Sequence, residues 1–346
     1  MIFIIQPLLQ CTGEHANREV ILPMKVLLDG SWSEERLGRL RELVREDIEL
    51  TVDASSGDYR VLVSGRPDAG LITGSHLLEH LLIPWAGLPA STRDLMKEHG
   101  NISVHNIHHN AASAAELAVG LMIAAARLIV PADRDLRKGD WTWRYRQERC
   151  ILLCGSNVLV LGYGSLGRRV GKACEALGAS VRGIRRSVDG PVLEGTVEVF
   201  PPSRLHHLLE RTDFLVLSLP LTETTEGVIG SAELALMHER SVLVNVGRGS
   251  LVDQEALYRS LSEGLIGAAG LDVWYRYPED EAARTCTKPS DHDFASLDNV
   301  VMTPHMGGAF GSDSLESARM EWLAASLNEL AGTGMMPYMV DLDRGY

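Results

Sequence analysis

From residue 24 onward the chain alternates short apolar runs with longer segments whose apolar residues recur every three or four positions. Apolar runs without polar alternation predict strands covered on both faces. They fall at 25–28, 48–51, 59–63, 80–83 and 102–104, and in a second series at 157–161, 180–184, 214–217, 241–246, 267–271 and 299–303. Helical spacing fills the intervals, for example at 33–44 and 91–99. An alanine-rich helix without internal proline is expected over 111–129, leading out of the first series, and an amphipathic helix over 313–330 is expected to return to it. Strand and helix in alternation indicate parallel sheets with helices on both faces. The expected fold is α/β, with two doubly wound, Rossmann-like or flavodoxin-like parallel-sheet domains and a cleft between them.

The second series opens on the most informative stretch. An apolar strand runs into Gly162-Tyr163-Gly164-Ser165-Leu166-Gly167, a helical pattern follows, and a second strand begins at Ser180. This strand, glycine turn and helix hold a dinucleotide pyrophosphate: Gly162 permits the turn, Gly164 admits the phosphates, and Gly167 packs helix against strand. The organisation predicted is therefore a substrate (catalytic) domain of residues 24–125 plus 313–346, and a dinucleotide-binding domain of 126–312. Residues 1–23 precede the first strand, as a poorly ordered extension or a misassigned start.

A ribose-binding acid is expected at the end of the second strand. Arg185-Arg186-Ser187 stands there instead. Guanidinium groups and a hydroxyl attract a 2′-phosphate, so NADP(H) is favoured over NAD(H), with Asp189 close enough to keep NAD(H) open.

Composition narrows the classes. At 346 residues, 45% hydrophobic and 23% charged, the chain has the make-up of a globular protein with two cores. A formal charge of −13 argues against nucleic acid and anionic membranes as partners. No apolar run reaches the roughly 20 residues of a membrane span. Cys11, Cys150, Cys154, Cys174 and Cys286 are scattered without C-x-x-C spacing, which suggests reduced thiols in a cytoplasmic protein with no metal site.

Four further segments, in order, resemble one family. They are Asn110-Ala-Ala-Ser-Ala-Ala-Glu116, Leu217-Ser-Leu219-Pro220-Leu-Thr-Glu-Thr224, Asn245-Val246-Gly247-Arg248-Gly-Ser-Leu-Val-Asp253 and Thr303-Pro-His305-Met-Gly307-Gly308. With the glycine loop they resemble the D-isomer-specific 2-hydroxyacid dehydrogenases, a family that includes formate dehydrogenase and some non-catalytic co-repressors. The resemblance covers residue 25 to the C-terminus and implies hydride exchange between a nicotinamide cofactor and a small 2-oxo or 2-hydroxy acid. It implies cofactor contacts by Leu219, Pro220, Thr224, Val246, Gly247, Gly307 and Gly308, and a carboxamide contact by Asp272. Trp85-Ala86-Gly87 resembles the loop whose N–H groups receive the substrate carboxylate, and Asn110 matches a residue lining the site. A homodimer is implied too, for which the aromatic and basic segment 138–146 is a candidate contact.

Two residues carry the chemistry. Arg248, between glycines after an apolar strand, can clamp a carboxylate with parallel hydrogen bonds; the family uses it to orient the 2-oxo acid and polarise its carbonyl. His305 is the proton donor to the alkoxide. The departure from the family lies five residues past Asp272, where a glutamate normally pairs with the histidine and raises its pKa. Tyr277 stands in that place. Its hydroxyl can orient the ring but brings no charge at neutral pH, so His305 should titrate lower. Three alternatives follow: Glu279, Asp280 or Glu281 supplies the acid, His108 and His109 supply it, or none is needed. The last would suit a formate-dehydrogenase-like reaction or a nucleotide-binding protein without turnover.

Overall fold

The computed structural model describes residues 23–146, 150–308 and 311–345. Almost all of the segment 1–23 lies outside them. The first sheet is built from β1 (Met24–Leu28), β2 (Ile48–Thr51), β3 (Val61–Val63), β4 (His80–Ile83) and β5 (Ser103–Asn106), with α1 (Glu34–Leu43), α2 (Ala69–Thr73) and α3 (Ala90–Lys97) between them. Its five strands lie in the order 2-1-3-4-5, all parallel. Two helices follow, α4 (Ala111–Ala126) and α5 (Ile129–Leu136). The second sheet takes β6 (Asn157–Leu161), β7 (Ser180–Ile184), β8 (Val192–Glu194), β9 (Val197–Phe200), β10 (Phe214–Leu217), β11 (Val242–Asn245), β12 (Ala268–Leu271) and β13 (Val300–Met302). Its order is 13-12-11-10-6-7-9-8, and only β8 runs antiparallel. Its helices are α6 (Ser165–Ala176), α7 (Leu205–Leu209), α8 (Ser231–Leu236) and α9 (Gln254–Ser262); α10 (Asp313–Thr333) closes the chain. Both sheets are doubly wound, as the strand pattern predicts.

Within the apolar strands of the second sheet a finer alternation sorts the two faces. Val158, Val160, Val216, Val242 and Val244 form one core with α4 and α6, whereas Leu159, Leu161, Leu215, Leu217 and Leu243 form another with α7, α8 and α9. The period of two is the strand's own, so slipping one strand by a residue would exchange valine for leucine against helices packed for the other.

The alanine-rich α4 packs on the valine face through Ala115, Ala118, Leu121, Met122 and Ala125. Thus the helix from Ala115 to Ala125, expected with the first unit, contacts the second sheet. The helix expected to run to 129 stops at Ala126, Leu128 adopts φ +53°, and α5 leaves at 66°. Pro131 explains the break. Inside a continuous helix its ring would clash with the carbonyl of Arg127, but in the first turn of a new helix its missing N–H costs nothing. At the other end α10 returns, packing Met320, Leu323 and Leu327 against Val26, Leu28 and Val61 of the first sheet. Among the described residues no single helix is long and apolar enough to cross a membrane.

Candidate active site

The order of the second sheet reverses between β6 and β10, and ligands of open α/β sheets bind outside such a reversal. The glycine loop lies there. Gly162 has φ +103°, and a Cβ on it would come within 2.9 Å of the Ser218 carbonyl, so neither the conformation nor the space admits a side chain. Gly167 presses on the Gly162 carbonyl, whereas a Cβ on Gly164 would meet open space at the start of α6. That open cradle faces the N–H groups of Ser165, Leu166 and Gly167, which have no acceptors one turn earlier; it suits a pyrophosphate. Tyr163, silent in the motif, is buried beneath the loop: a Cβ on Gly183 of β7 would lie 2.5 Å from its ring, and Arg168 sits 5.9 Å above that ring.

Next to the loop, the Leu219 carbonyl crowds Gly247, while Thr225 holds the turn by donating to the Pro220 carbonyl at 2.8 Å and Thr224 lies 3.1 Å from the Thr222 hydroxyl. Val246 extends β11, its N–H donating to the Leu217 carbonyl at 3.1 Å. Asn245 then shapes the arginine loop. Its Oδ1 accepts from Gly247 N–H at 3.1 Å and its Nδ2 donates to the Arg248 carbonyl at 2.8 Å. The sequence reading missed this role; an amide ending an apolar strand is the signal that could have found it.

Arg248 projects from that loop towards the first sheet. Its Nη1 donates to the Gly247 carbonyl at 2.7 Å, and a Cβ on Gly87 would stand 2.6 Å from Nη2. A side chain at Gly87 would therefore push the guanidinium from this position. The turn of Trp85, Ala86 and Gly87 is fixed by Asn106, which donates to the Ala86 carbonyl at 2.8 Å. Although solvent reaches Arg248, the surrounding protein still lowers its pKa by desolvation, with Tyr277 opposing.

His305 sits on the loop after β13 with φ +59°, a conformation that costs a non-glycine residue about 1–3 kcal/mol. Asp272 holds it. This carboxylate is 1% exposed and accepts from Thr303 Oγ1 at 2.6 Å, Met306 N–H at 2.6 Å and Gly307 N–H at 2.8 Å. The residues on either side of His305 are thus tied to one buried side chain. Two of those bonds fall on Oδ1 and one on Oδ2, which leaves Oδ2 able to accept another.

Tyr277 Oη lies 3.1 Å from His305 Nδ1 and accepts from Trp274 N–H at 3.1 Å. Burial lowers the His305 pKa first and Arg248 lowers it further, against Asp272. The Tyr277 pKa moves up, mainly by burial, so the pair is uncharged at neutral pH.

Residues 119–307 match the family described as D-isomer specific 2-hydroxyacid dehydrogenase, NAD binding domain. The chain belongs to the D-isomer-specific 2-hydroxyacid dehydrogenase family. It is 37% identical over 212 residues to the D-3-phosphoglycerate dehydrogenase of Methanocaldococcus jannaschii, covering 61% of this chain and 38% of that one. The hydroxypyruvate reductase of Thermotoga maritima is 35% identical over 231 residues, covering 66% and 71%. The match thus spans well under half the length of the first relative. Among solved structures, the NADPH-dependent glyoxylate/hydroxypyruvate reductase of Sinorhizobium meliloti, in complex with NADP and malonate, is 25% identical with TM-score 0.68 over 94% of this chain and 98% of that one.

Against the family pattern, the other candidate acids lie elsewhere. Asp280 accepts from Ala283 N–H at 2.8 Å and Glu281 from Arg284 at 2.9 Å, both within their own exposed loop. His108 packs edge-on against Trp322 and Tyr338, while His109 accepts from Arg319 and is pushed down to about 4, by burial first. Asn110 begins α4 without capping it. Gly307 faces Ala114 of α4 and Gly308 follows it, half-buried. At the far end of the groove Arg186 and Ser187 are exposed, but Arg185 is bound to Glu194, 2.5 Å away. Arg185, expected to wait for a phosphate, is thus engaged, because a hairpin absent from the strand pattern brings an acid to it.

Proposed function

We propose that the protein interconverts a small 2-oxo acid and its 2-hydroxy acid. The observation that carries this reading is the reach of Arg248 to Gly87, which aims a guanidinium from the second sheet at a turn of the first. A bound nicotinamide would supply the hydride. Ser165, Leu166 and Gly167 would hold its pyrophosphate; Leu219, Pro220, Thr224, Val246, Gly247, Gly307 and Gly308 would line the rest, with Asp272 Oδ2 open to the carboxamide. Arg248 clamps the substrate carboxylate and polarises the carbonyl, the N–H groups of Ala86 and Gly87 help seat the carboxylate beside Trp85, and Asn110 lines the site.

His305 gives its Nε2 proton to the developing alkoxide. Tyr277 serves both states of the ring. With Trp274 N–H donating to it, the hydroxyl can also accept from Nδ1–H, a proton the ring keeps both as the imidazolium and, after Nε2 has given up its own, as the neutral tautomer. A carboxylate would accept the same Nδ1–H but add a charge that favours the imidazolium. Reduction should therefore fall as pH rises through a His305 pKa set below its ordinary value.

We further read the cofactor as NADP(H) in preference to NAD(H), supported by Arg185, Arg186 and Ser187, and the assembly as a homodimer. For the latter, Trp141 is 61% and Tyr145 75% exposed in the 138–146 segment. Loss of NADPH absorbance with glyoxylate or hydroxypyruvate, against NADH in parallel, tests the reaction; no turnover with any 2-oxo acid would reject it. The depressed His305 pKa favours one second reading, hydride abstraction from formate without proton transfer, which would give a rate flat across that pKa.

A further inference from the structure

Glu194 ends β8 and pairs with Val197, the first residue of β9. Arg185 follows Ile184, which pairs with Phe200 at the end of β7, and the Phe200 carbonyl accepts the Arg185 N–H at 3.0 Å. By that register the two residues are four positions apart along the sheet, about 13 Å at strand rise. Yet Arg185 Nη1 lies 2.5 Å from Glu194 Oε1, and Arg168 Nε donates to Glu194 Oε2 at 2.9 Å. To make that contact the Arg185 side chain turns back along the flank of the sheet, away from the carboxyl end of β7 where an adenosine ribose is read. The position is poorly satisfied, since Arg185 Nε is buried without a partner. Hydrogen bonding from Arg168, with Arg185 adding to it, keeps the Glu194 carboxyl below its usual range and ionised.

We propose that Glu194 sets the discrimination between NADP(H) and NAD(H) by holding Arg185 back from the 2′-phosphate position. The inference rests on the cofactor reading above. With Glu194 ionised, a 2′-phosphate must compete with a carboxylate for both guanidinium groups; without that charge Arg185 is released towards the edge, unchanged in its reach. The unphosphorylated ribose offers no anion to this contest, so NADH binding is indifferent to it.

Equilibrium titration by protein fluorescence, with NADPH, NADH and adenosine 2′,5′-bisphosphate, reads this without turnover. Glu194→Gln should tighten NADPH and the bisphosphate by about tenfold, the scale of one ion pair, and leave NADH within about twofold. Glu194→Ala should repeat the shift, and Arg185→Ala should abolish it in the double variant. An unchanged NADPH to NADH ratio in both Glu194 variants, or a gain that survives loss of Arg185, overturns the role of Glu194 while the cofactor reading stands. Failure of the native protein to bind either dinucleotide removes the cofactor reading and this inference together.

Discussion

Asp272 and Glu194 are both carboxylates of the second sheet's loops and strands, each accepting from several donors. Asp272 is 1% exposed and accepts from two backbone N–H groups and a threonine hydroxyl, donors that cannot move without moving the chain. Glu194 keeps about a quarter of its side chain in solvent and accepts from two long, jointed arginines. The first arrangement fixes a geometry, and the second leaves a choice. Fixed donors suit the proton-transfer end, where a 1 Å displacement is costly, while mobile ones suit an end that must tell two ligands apart.

Replacing Asp272 with alanine should do the most damage. It would strand buried donors and release the φ +59° conformation of His305, lowering unfolding free energy in urea by about 3–5 kcal/mol and turnover by more than about 10³-fold. A variant as stable as the native chain would show that the web of bonds is incidental. Arg248→Lys keeps the charge but loses the fork; kcat/KM for a 2-oxo acid should fall about 10²-fold with no change in melting temperature. Equal rates would mean that the guanidinium does not clamp the substrate.

Smaller effects sharpen the contrast. Tyr277→Glu places a negative charge beside His305, raises its pKa, and should move the alkaline fall of the reduction rate to higher pH. An unmoved profile would release Tyr277 from its partnership. Arg185→Ala in the native background should weaken NADPH by no more than about threefold, because Glu194 already holds that side chain away. A much larger loss would place Arg185 on the phosphate directly.

The strands of both sheets were legible because burial on two faces leaves an unbroken apolar run, Arg248 because two glycines frame it, and His305 because Pro304 precedes it and Gly307-Gly308 follow one residue on. The hairpin of β8 and β9 was not. Its strands are three and four residues long, and Val192 and Leu193 are exposed at the sheet edge, so no continuous apolar signal marks them. The available clue was Gly195, in the two-residue turn between the strands at φ +64°, the seat that primed hairpin turns require. Ion pairing across that turn depends on register, which no local pattern encodes. The break at Leu128 was hidden for another reason: its cause, Pro131, lies beyond the helix it ends.

Tyr163 carries a consequence for how such a sequence can drift. Its ring fills the volume that a side chain at position 183 would need, and it lies under the turn that faces the pyrophosphate cradle. Neither position can change alone without a void or a collision, so chains descended from this one should alter 163 and 183 as a pair. The shape of the phosphate loop is thereby recorded in a residue of the neighbouring strand, about 20 positions downstream, that no ligand ever touches.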